Sequence, residues 1–318
     1  MSVKNNIPVI LCSHFPLPFK GIGSWTTMYN YYLKSNNEID CIVCPTNDAQ
    51  VATVDYLKIK DGLVFKLQRE TGVKHKYSPY YLAIEKYLKE QPGSVIIHII
   101  DNAGYAYDFI KFIIDRNLRE RCYIQFSYHG FLPYYDMVKG TKFVNEVDEF
   151  IFLTDLSKKQ YKERYPSASF QASVLHNGID KSLFKRKSSK QLVSDNTNCI
   201  FLWLANDRPK KGLDFILDVW QKFYLKYPNT ELWIVGSDRK LNVKGVKSYG
   251  KFPNSELPKF YQQSDVYLFP TQCQEGFGLS LIEALSCGCY CIASNVGGVP
   301  EVLEFGKLGV LVLSLIHI

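Results

Sequence analysis

The sequence predicts an α/β protein built from two parallel-sheet domains, and three observations predict it. Short apolar runs alternate with amphipathic stretches through both halves of the chain. A polar run without helical or strand periodicity, including Lys185, Arg186, Lys187 and Lys190, separates the halves at 181–198. A length of 318 residues with 46% hydrophobic content is ample for two buried cores. The expected organisation is one domain over 1–180, a linker over 181–198 and a second domain over 199–318.

In the first half, Ile7 to Cys12 reads as a buried strand. Gly21-Ile22-Gly23-Ser24 then precedes an aromatic-rich helix from Trp25 to Leu33. Strand, glycine turn and helix match the start of a dinucleotide fingerprint, but Thr26 stands where the third glycine belongs, which speaks against a nicotinamide cofactor. Further strands read at Ile39–Cys44, Leu63–Leu67, Val95–Ile100, Cys122–Ser127 and Phe150–Leu153, with helical patterns at 80–90, 104–119 and 155–165. Such alternation predicts a parallel sheet covered on both faces, whose ligands bind beyond the carboxyl ends of the strands. His129 and Gly130 stand at one such end, and Asp101-Asn102 closes another strand as a candidate for acceptor binding. A lone histidine is more often structural, and His14, His75, His98 and His176 are alternatives.

In the second half, Cys199 to Ala205 reads as a strand, and Asn206-Asp207-Arg208-Pro209-Lys210-Lys211-Gly212 leads into a helix starting near Leu213. Cations at a helix start oppose its dipole, so an anionic partner accounts for them better than chance does. Strands at Leu232–Gly236, Val246–Gly250, Val266–Phe269 and Leu308–Val312, and a helix over Asn254–Gln263, complete the alternation.

The densest chemistry lies in Thr271 to Glu301, TQCQEGFGLSLIEALSCGCYCIASNVGGVPE. Glu275 sits in a loop with Gly276 and Gly278, ahead of a helix from Leu279 to Leu285 that carries Glu283. Two carboxylates eight residues apart, one before a helix and one inside it, reach one cleft from different depths and suit a hydroxyl-rich ligand. The free amides at the helix start, around Phe277 to Ser280, attract an anion. A strand at Tyr290–Ala293 ends in Ser294, Asn295 and the pair Gly297-Gly298, which lets the backbone come close to a ligand. Either half alone has a bland explanation, a solvated glutamate or a turn glycine pair.

Composition narrows the classes. No run approaches the ~20 apolar residues of a membrane helix and the N-terminus lacks a signal-peptide core, which places the expected site of action in the cytoplasm. Nine cysteines, most inside apolar runs, read as free buried thiols: Cys41-x-x-Cys44 suits a redox or half-metal site, but no second pair with zinc spacing follows it, and Cys287, Cys289 and Cys291 alternate as strand neighbours do. A net charge of +7 fits nucleic acid, an anionic membrane or a phosphate-bearing ligand. The aromatic residues are spread along the chain rather than interleaved with basic ones, which argues against nucleic acid. The basic run after Lys185 reads either as a solvated segment or as a peripheral contact with the inner face of a membrane.

The string EGFGLSLIEALSCG followed by IASNVGGVPEV resembles the donor-site signature of family 4 retaining glycosyltransferases of the GT-B fold, with Glu275 and Glu283 meeting its Glu-x7-Glu spacing. The resemblance extends from about residue 7 to 312 and implies two Rossmann-like domains facing a cleft. It implies transfer of a sugar from a nucleoside diphosphate sugar, UDP- or GDP-linked, to an acceptor hydroxyl with retained configuration, in polysaccharide or glycolipid synthesis. In this reading Glu275 meets hydroxyls of the transferred sugar and Glu283 those of the ribose, while His129 meets the sugar from the opposing domain. Arg208, Lys211 and the amides of Phe277, Gly278 and Leu279 hold the diphosphate, with the Gly21–Gly23 loop approaching the same phosphates. Arg208 stands closer to Lys211 than the family's arginine usually does, and Lys210 is a substitute. The sequence holds no Asp-x-Asp triplet, so a metal-independent mechanism without a further cofactor is expected. The acceptor is expected to be a glycan or lipid-linked molecule. The family pattern continues past Val312 with another strand-helix pair, so the second domain is expected to be incomplete, with SLIHI foreign to it. Two other readings stay open: a nucleotide-sugar epimerase of the same fold, and a binder without catalysis.

Overall fold

A computed structural model describes residues 7–18, 24–35, 38–45, 54–57, 59, 78–132, 137–187 and 198–313. The chain divides into two compact units. The first runs to Phe152 and resumes over Lys158–Leu175, and the second takes Leu153–Ser157 and everything from His176.

In the first unit the elements run β1 (Val9–Cys12), α1 (Ser24–Ser35), β2 (Cys41–Val43), β3 (Asp55–Tyr56), α2 (Ser78–Glu90), β4 (Val95–Ile100), α3 (Ala103–Ile114), β5 (Cys122–Ser127), α4 (Met137–Glu146), β6 (Glu149–Phe152), α5 (Asp155–Arg164), whose first residues Asp155–Ser157 belong to the second unit, and β7 (Gln171–Val174). The strands form one parallel sheet in the order β3-β2-β1-β4-β5-β6-β7. Strand residues of one parity, among them Val95, Ile97, Ile99, Ile124 and Phe126, pack with Tyr81, Phe109 and Tyr161 from the helices. On the other face Leu11 and Ile42 meet Tyr29 and Leu33 of α1. Helix α3 begins where the Asn102 side chain accepts the Tyr105 amide at 2.9 Å. It stops at Ile114, short of the expected 119, because Asn117 turns left-handed at φ +56° and Arg119–Arg121 forms a 3-10 turn. The strand expected at 63–67 and the Gly21–Gly23 turn lie outside the described residues.

In the second unit β8 (Cys199–Leu204), α6 (Leu213–Lys226), β9 (Thr230–Val235), β10 (Val246–Gly250), α7 (Pro258–Gln263), β11 (Val266–Phe269), α8 (Leu279–Ser286), β12 (Tyr290–Ser294), α9 (Val299–Val302) and β13 (Gly309–Val312) follow in order. They build a second parallel sheet, ordered β10-β9-β8-β11-β12-β13. The helix expected over 254–263 is split. Asn254–Glu256 is a 3-10 turn and α7 starts at Pro258, which lacks an amide to continue a preceding helix but suits a first turn. The expected linker also begins later than its polarity suggests. Phe184 is buried in the second core, its carbonyl accepts the Ser286 hydroxyl at 2.6 Å, and the Lys185 carbonyl accepts Gln262 at 2.8 Å. Residues 188–197 of that stretch lie outside the described residues.

Each sheet reverses its strand order once, the first between β1 and β4 and the second between β8 and β11. The carboxyl ends at such a reversal open a crevice where ligands of parallel sheets bind. All nine cysteines are free, and all but Cys199 and Cys273 are buried. Among the described residues no helix is long and apolar enough to cross a membrane.

Candidate functional site

The reversal point of the second sheet gathers much of the predicted chemistry. Beyond β8 the chain forms a 3-10 turn at Pro209–Lys211 and then needs Gly212, whose φ is +70° and whose added Cβ would stand 2.1 Å from the Pro270 carbonyl oxygen. This close approach sets the β8 loop against the loop after β11. The Gln272 amide donates to the Lys210 carbonyl at 2.7 Å, and the Trp203 indole N–H holds the Lys211 carbonyl at 3.1 Å. Fixed in this way, Lys211 Nζ lies 2.6 Å from Glu275 Oε2, with both side chains about one-fifth exposed. The anionic partner expected for a cation at this helix start is therefore supplied first by the protein itself. Thr271 Oγ1 lies 3.5 Å from the same carboxylate oxygen.

Glu275 is held by its backbone as well. Its carbonyl accepts the Gly298 amide at 2.8 Å, and Gly297, at φ +55°, approaches so closely that a Cβ there would stand 2.3 Å from that carbonyl oxygen. The glycine pair packs against the Glu275–Gly276 backbone, which explains why two glycines are needed there. Helix α8 then starts at Leu279 after Gly278, which is left-handed at φ +86°, and no side chain caps it. Its first amides carry the positive end of the helix dipole. One turn on, the Glu283 carboxylate accepts the buried Tyr261 hydroxyl at 2.9 Å. Burial pushes the Glu283 pKa up to about 7, against the lowering effect of the Tyr261 bond.

Arg208 is exposed and makes no ion pair among the described residues. Sequence reasoning missed a more constrained arginine. Arg239, just past β9, binds Asp207 through Nε at 2.7 Å and Nη2 at 2.8 Å and also pairs with Asp214. Asp207 accepts Ser237 Oγ at 2.6 Å as well. The loop holding Arg208 is thereby braced from its neighbouring strand. No sequence pattern marks this brace, since its members are spread over 207–239.

In the first unit His129 follows β5, beside the reversal point. Its ring stacks on Trp25 at 5.4 Å between centroids and meets Tyr29 edge-on at 5.7 Å. Both ring nitrogens are buried without a hydrogen-bond partner among the described residues. Burial, with a smaller effect from His98, lowers its pKa to about 3, so the imidazole is neutral. The His129 amide donates to Asp101 Oδ1 at 2.9 Å. Asp101 is left-handed at φ +58°, and burial raises its carboxyl to about 6 against the bonds from His129 and Trp25. Among the described residues no three His, Cys, Asp or Glu side chains gather as a metal site would need.

Residues 184–314 match the family described as glycosyl transferases group 1. That match covers most of the second unit. Over nearly its whole length the chain has the GT-B fold. It covers 98% of itself and 86% of sucrose-phosphate synthase from Thermosynechococcus elongatus, with a TM-score of 0.68 and 17% identity. It covers 97% of itself and 86% of Anabaena HepE in complex with UDP, again with a TM-score of 0.68, at 15% identity. Among curated relatives, spore coat protein SA of Bacillus subtilis is 22% identical over 256 residues, 72% of this chain and 61% of the relative. A phosphatidyl-myo-inositol mannosyltransferase of Propionibacterium freudenreichii is 31% identical over 132 residues, 41% of this chain and 34% of the relative. The chain thus spans between a third and three-fifths of the length of these two curated relatives. All the residues described at the second reversal point, from Lys211 to Glu283, fall within the matched residues.

Proposed function

We propose that this chain binds a nucleoside diphosphate sugar in its second unit and transfers the sugar to an acceptor hydroxyl with retention of configuration, without a metal ion. The observation that carries the reading is the Lys211–Glu275 pair at the reversal point, next to the uncapped start of α8. A diphosphate placed there draws on the ammonium of Lys211 and on the first amides of α8, and Arg208 is free to swing onto it. Release of the nucleotide is then assisted by charge already in place. Glu275, once Lys211 turns to phosphate, is left to accept hydroxyls of the transferred sugar. Glu283 is suited to accept both hydroxyls of the ribose.

In the transfer, the acceptor oxygen forms its bond to the anomeric carbon on the face from which the diphosphate leaves. The bond from that carbon to the phosphate oxygen breaks with its electron pair, and the acceptor proton passes to the departing phosphate. No protein nucleophile enters. His129 is assigned a neutral hydrogen bond to the sugar and Gly21 and Gly23 an approach to the phosphates, both by resemblance. Support for the donor class comes from HepE, solved in complex with UDP, with UDP and glucose, and with UDP-glucose, and from a relative named as GDP-mannose-dependent. The mannosyltransferase relatives act, by their names, on phosphatidyl-myo-inositol, which supports a glycolipid or polysaccharide acceptor.

Thermal shift against UDP, GDP, ADP and NAD tests the reading. UDP or GDP at 100 times its Kd should stabilise the protein by about 2.7 kcal/mol, a rise of several degrees. Stabilisation by NAD alone would overturn it. Donor turnover that inverts the anomeric centre, or that ceases when divalent ions are chelated, would overturn the retaining or the metal-free part.

A further inference from the structure

The start of α5 is completed by a residue from the far end of the second unit. Thr154 is wholly buried, and its Oγ1 accepts the Ser157 amide at 3.2 Å, as an N-cap does. The amides of Asp155 and Leu156 still need acceptors, because the first turn of a helix offers none. Both donate to Glu301, one to each carboxylate oxygen, at 2.9 and 3.0 Å. The carboxylate is 14% exposed and meets the positive end of the helix dipole.

The same carboxylate reaches the donor loop. Its Oε1 lies 3.2 Å from His176 Nε2, and the His176 ring packs 5.5 Å, centroid to centroid, from Phe277. Phe277 stands between Gly276 and Gly278, directly before α8. The turn that carries Glu301 touches both partners a second time. A Cβ at Gly298 would stand 2.3 Å from the Gly276 carbonyl oxygen and 2.8 Å from Thr154 Cγ2.

We propose that Glu301 is a positioning residue: through His176 it holds Phe277 and the Gly276–Gly278 loop, and through two backbone amides it fixes the start of α5 to the same turn. Its consequence for donor binding rests on the nucleotide-sugar reading, whereas the positioning does not. Three donors share two anionic oxygens, an arrangement that a carboxamide, with a single acceptor oxygen, cannot reproduce.

Hydrogen exchange on the full chain without nucleotide, followed by UDP and GDP titration, tests this with Glu301→Gln, His176→Ala and His176→Gln. In Glu301→Gln the amides of Asp155 and Leu156 should exchange about tenfold faster. Peptides covering 277–283, in which the Leu281 amide donates to the Gly278 carbonyl at 2.9 Å, should lose protection in both Glu301→Gln and His176→Ala. His176→Gln, whose amide still donates to Glu301, should keep that protection. Unchanged protection of 277–283 in both Glu301→Gln and His176→Ala would overturn the positioning, and His176 is half exposed, so its replacement leaves the fold in place. The nucleotide Kd should rise about tenfold in the two disrupting variants and stay unchanged in His176→Gln. Altered exchange with an unchanged Kd would overturn the link to the donor. A wild-type chain that binds neither UDP nor GDP would sink the nucleotide reading alone, since the nucleotide-free exchange still decides whether Glu301 holds the loop.

Discussion

Lys211 Nζ and Glu275 Oε2 are 2.6 Å apart, so the cation proposed to bind phosphate and the carboxylate proposed to bind sugar neutralise each other in the ligand-free protein. A diphosphate must compete with Glu275 for Lys211. Replacing Glu275 by Gln should therefore tighten UDP or GDP binding by about tenfold while lowering sugar transfer by about 1000-fold. Calorimetric titration and a transfer assay measure the two effects; weaker nucleotide binding in Glu275→Gln would contradict the competition. Lys211→Met should act oppositely, weakening nucleotide binding by about 100-fold.

Glu283 makes a pH prediction. Its folded pKa of about 7 lies above the ordinary 4.5, so the native protein holds a proton there more tightly than the unfolded chain does. This contribution to stability is complete below about pH 4.5 and is lost as pH rises to about 7. Subtracting the stability curve of Glu283→Gln from that of wild type should isolate a fall of about 2 kcal/mol across that window, after allowance for partial exposure. Nucleotide affinity, corrected in the same way, should rise as pH passes 7, because only the carboxylate accepts from both ribose hydroxyls. A flat difference curve would remove both statements.

His129 is predicted to stay neutral across the physiological range. Its pKa is lowered to about 3 from 6.5, so its contribution is present above pH 6.5 and fades as pH falls toward 3. The imidazole proton resonances should not titrate between pH 5 and 8. His129→Ala should reduce transfer by about 100-fold and leave the nucleotide Kd unchanged, because the residue is assigned to the transferred sugar and not to the nucleotide. A titration near neutrality would show that its burial is relieved in solution.

The turn at Gly297 should tolerate no side chain. Gly297→Ala combines a positive φ with a Cβ 2.3 Å from a backbone oxygen, and should cost about 3 kcal/mol or more in stability. Thermal unfolding reads this directly, and a neutral substitution would show that the Glu275 loop can retreat.

Most of this architecture is legible from residue pattern because parallel strands buried on both faces are continuous apolar runs. Val95–Ile100, Cys122–Ser127 and Val266–Phe269 fall where their sequences put them. Strand β7, Gln-Ala-Ser-Val at a sheet edge, carries no such signal, and neither does the two-residue β3. At the site, the spacing of Glu275 and Glu283 and the basic loop before α6 were readable because they are local. What could not be read are relationships across long separations: the Lys211–Glu275 pair, the Arg239 brace on Asp207 and Asp214, and the Trp25 stack on His129. Each depends on which loops the two strand-order reversals bring together, and periodicity does not encode that.

The path of the backbone carries a consequence for heredity and engineering. The second unit is not one stretch of gene, since it borrows Leu153–Ser157 from between two segments of the first. A fragment cut at His176 would leave Glu301 without the two amides it accepts, and a graft of that fragment onto a foreign first half would place an unrelated helix start against it. Recombination between relatives should succeed only when residues 153–157 and the Gly297–Glu301 turn come from the same parent, so these two short segments should be inherited as a pair.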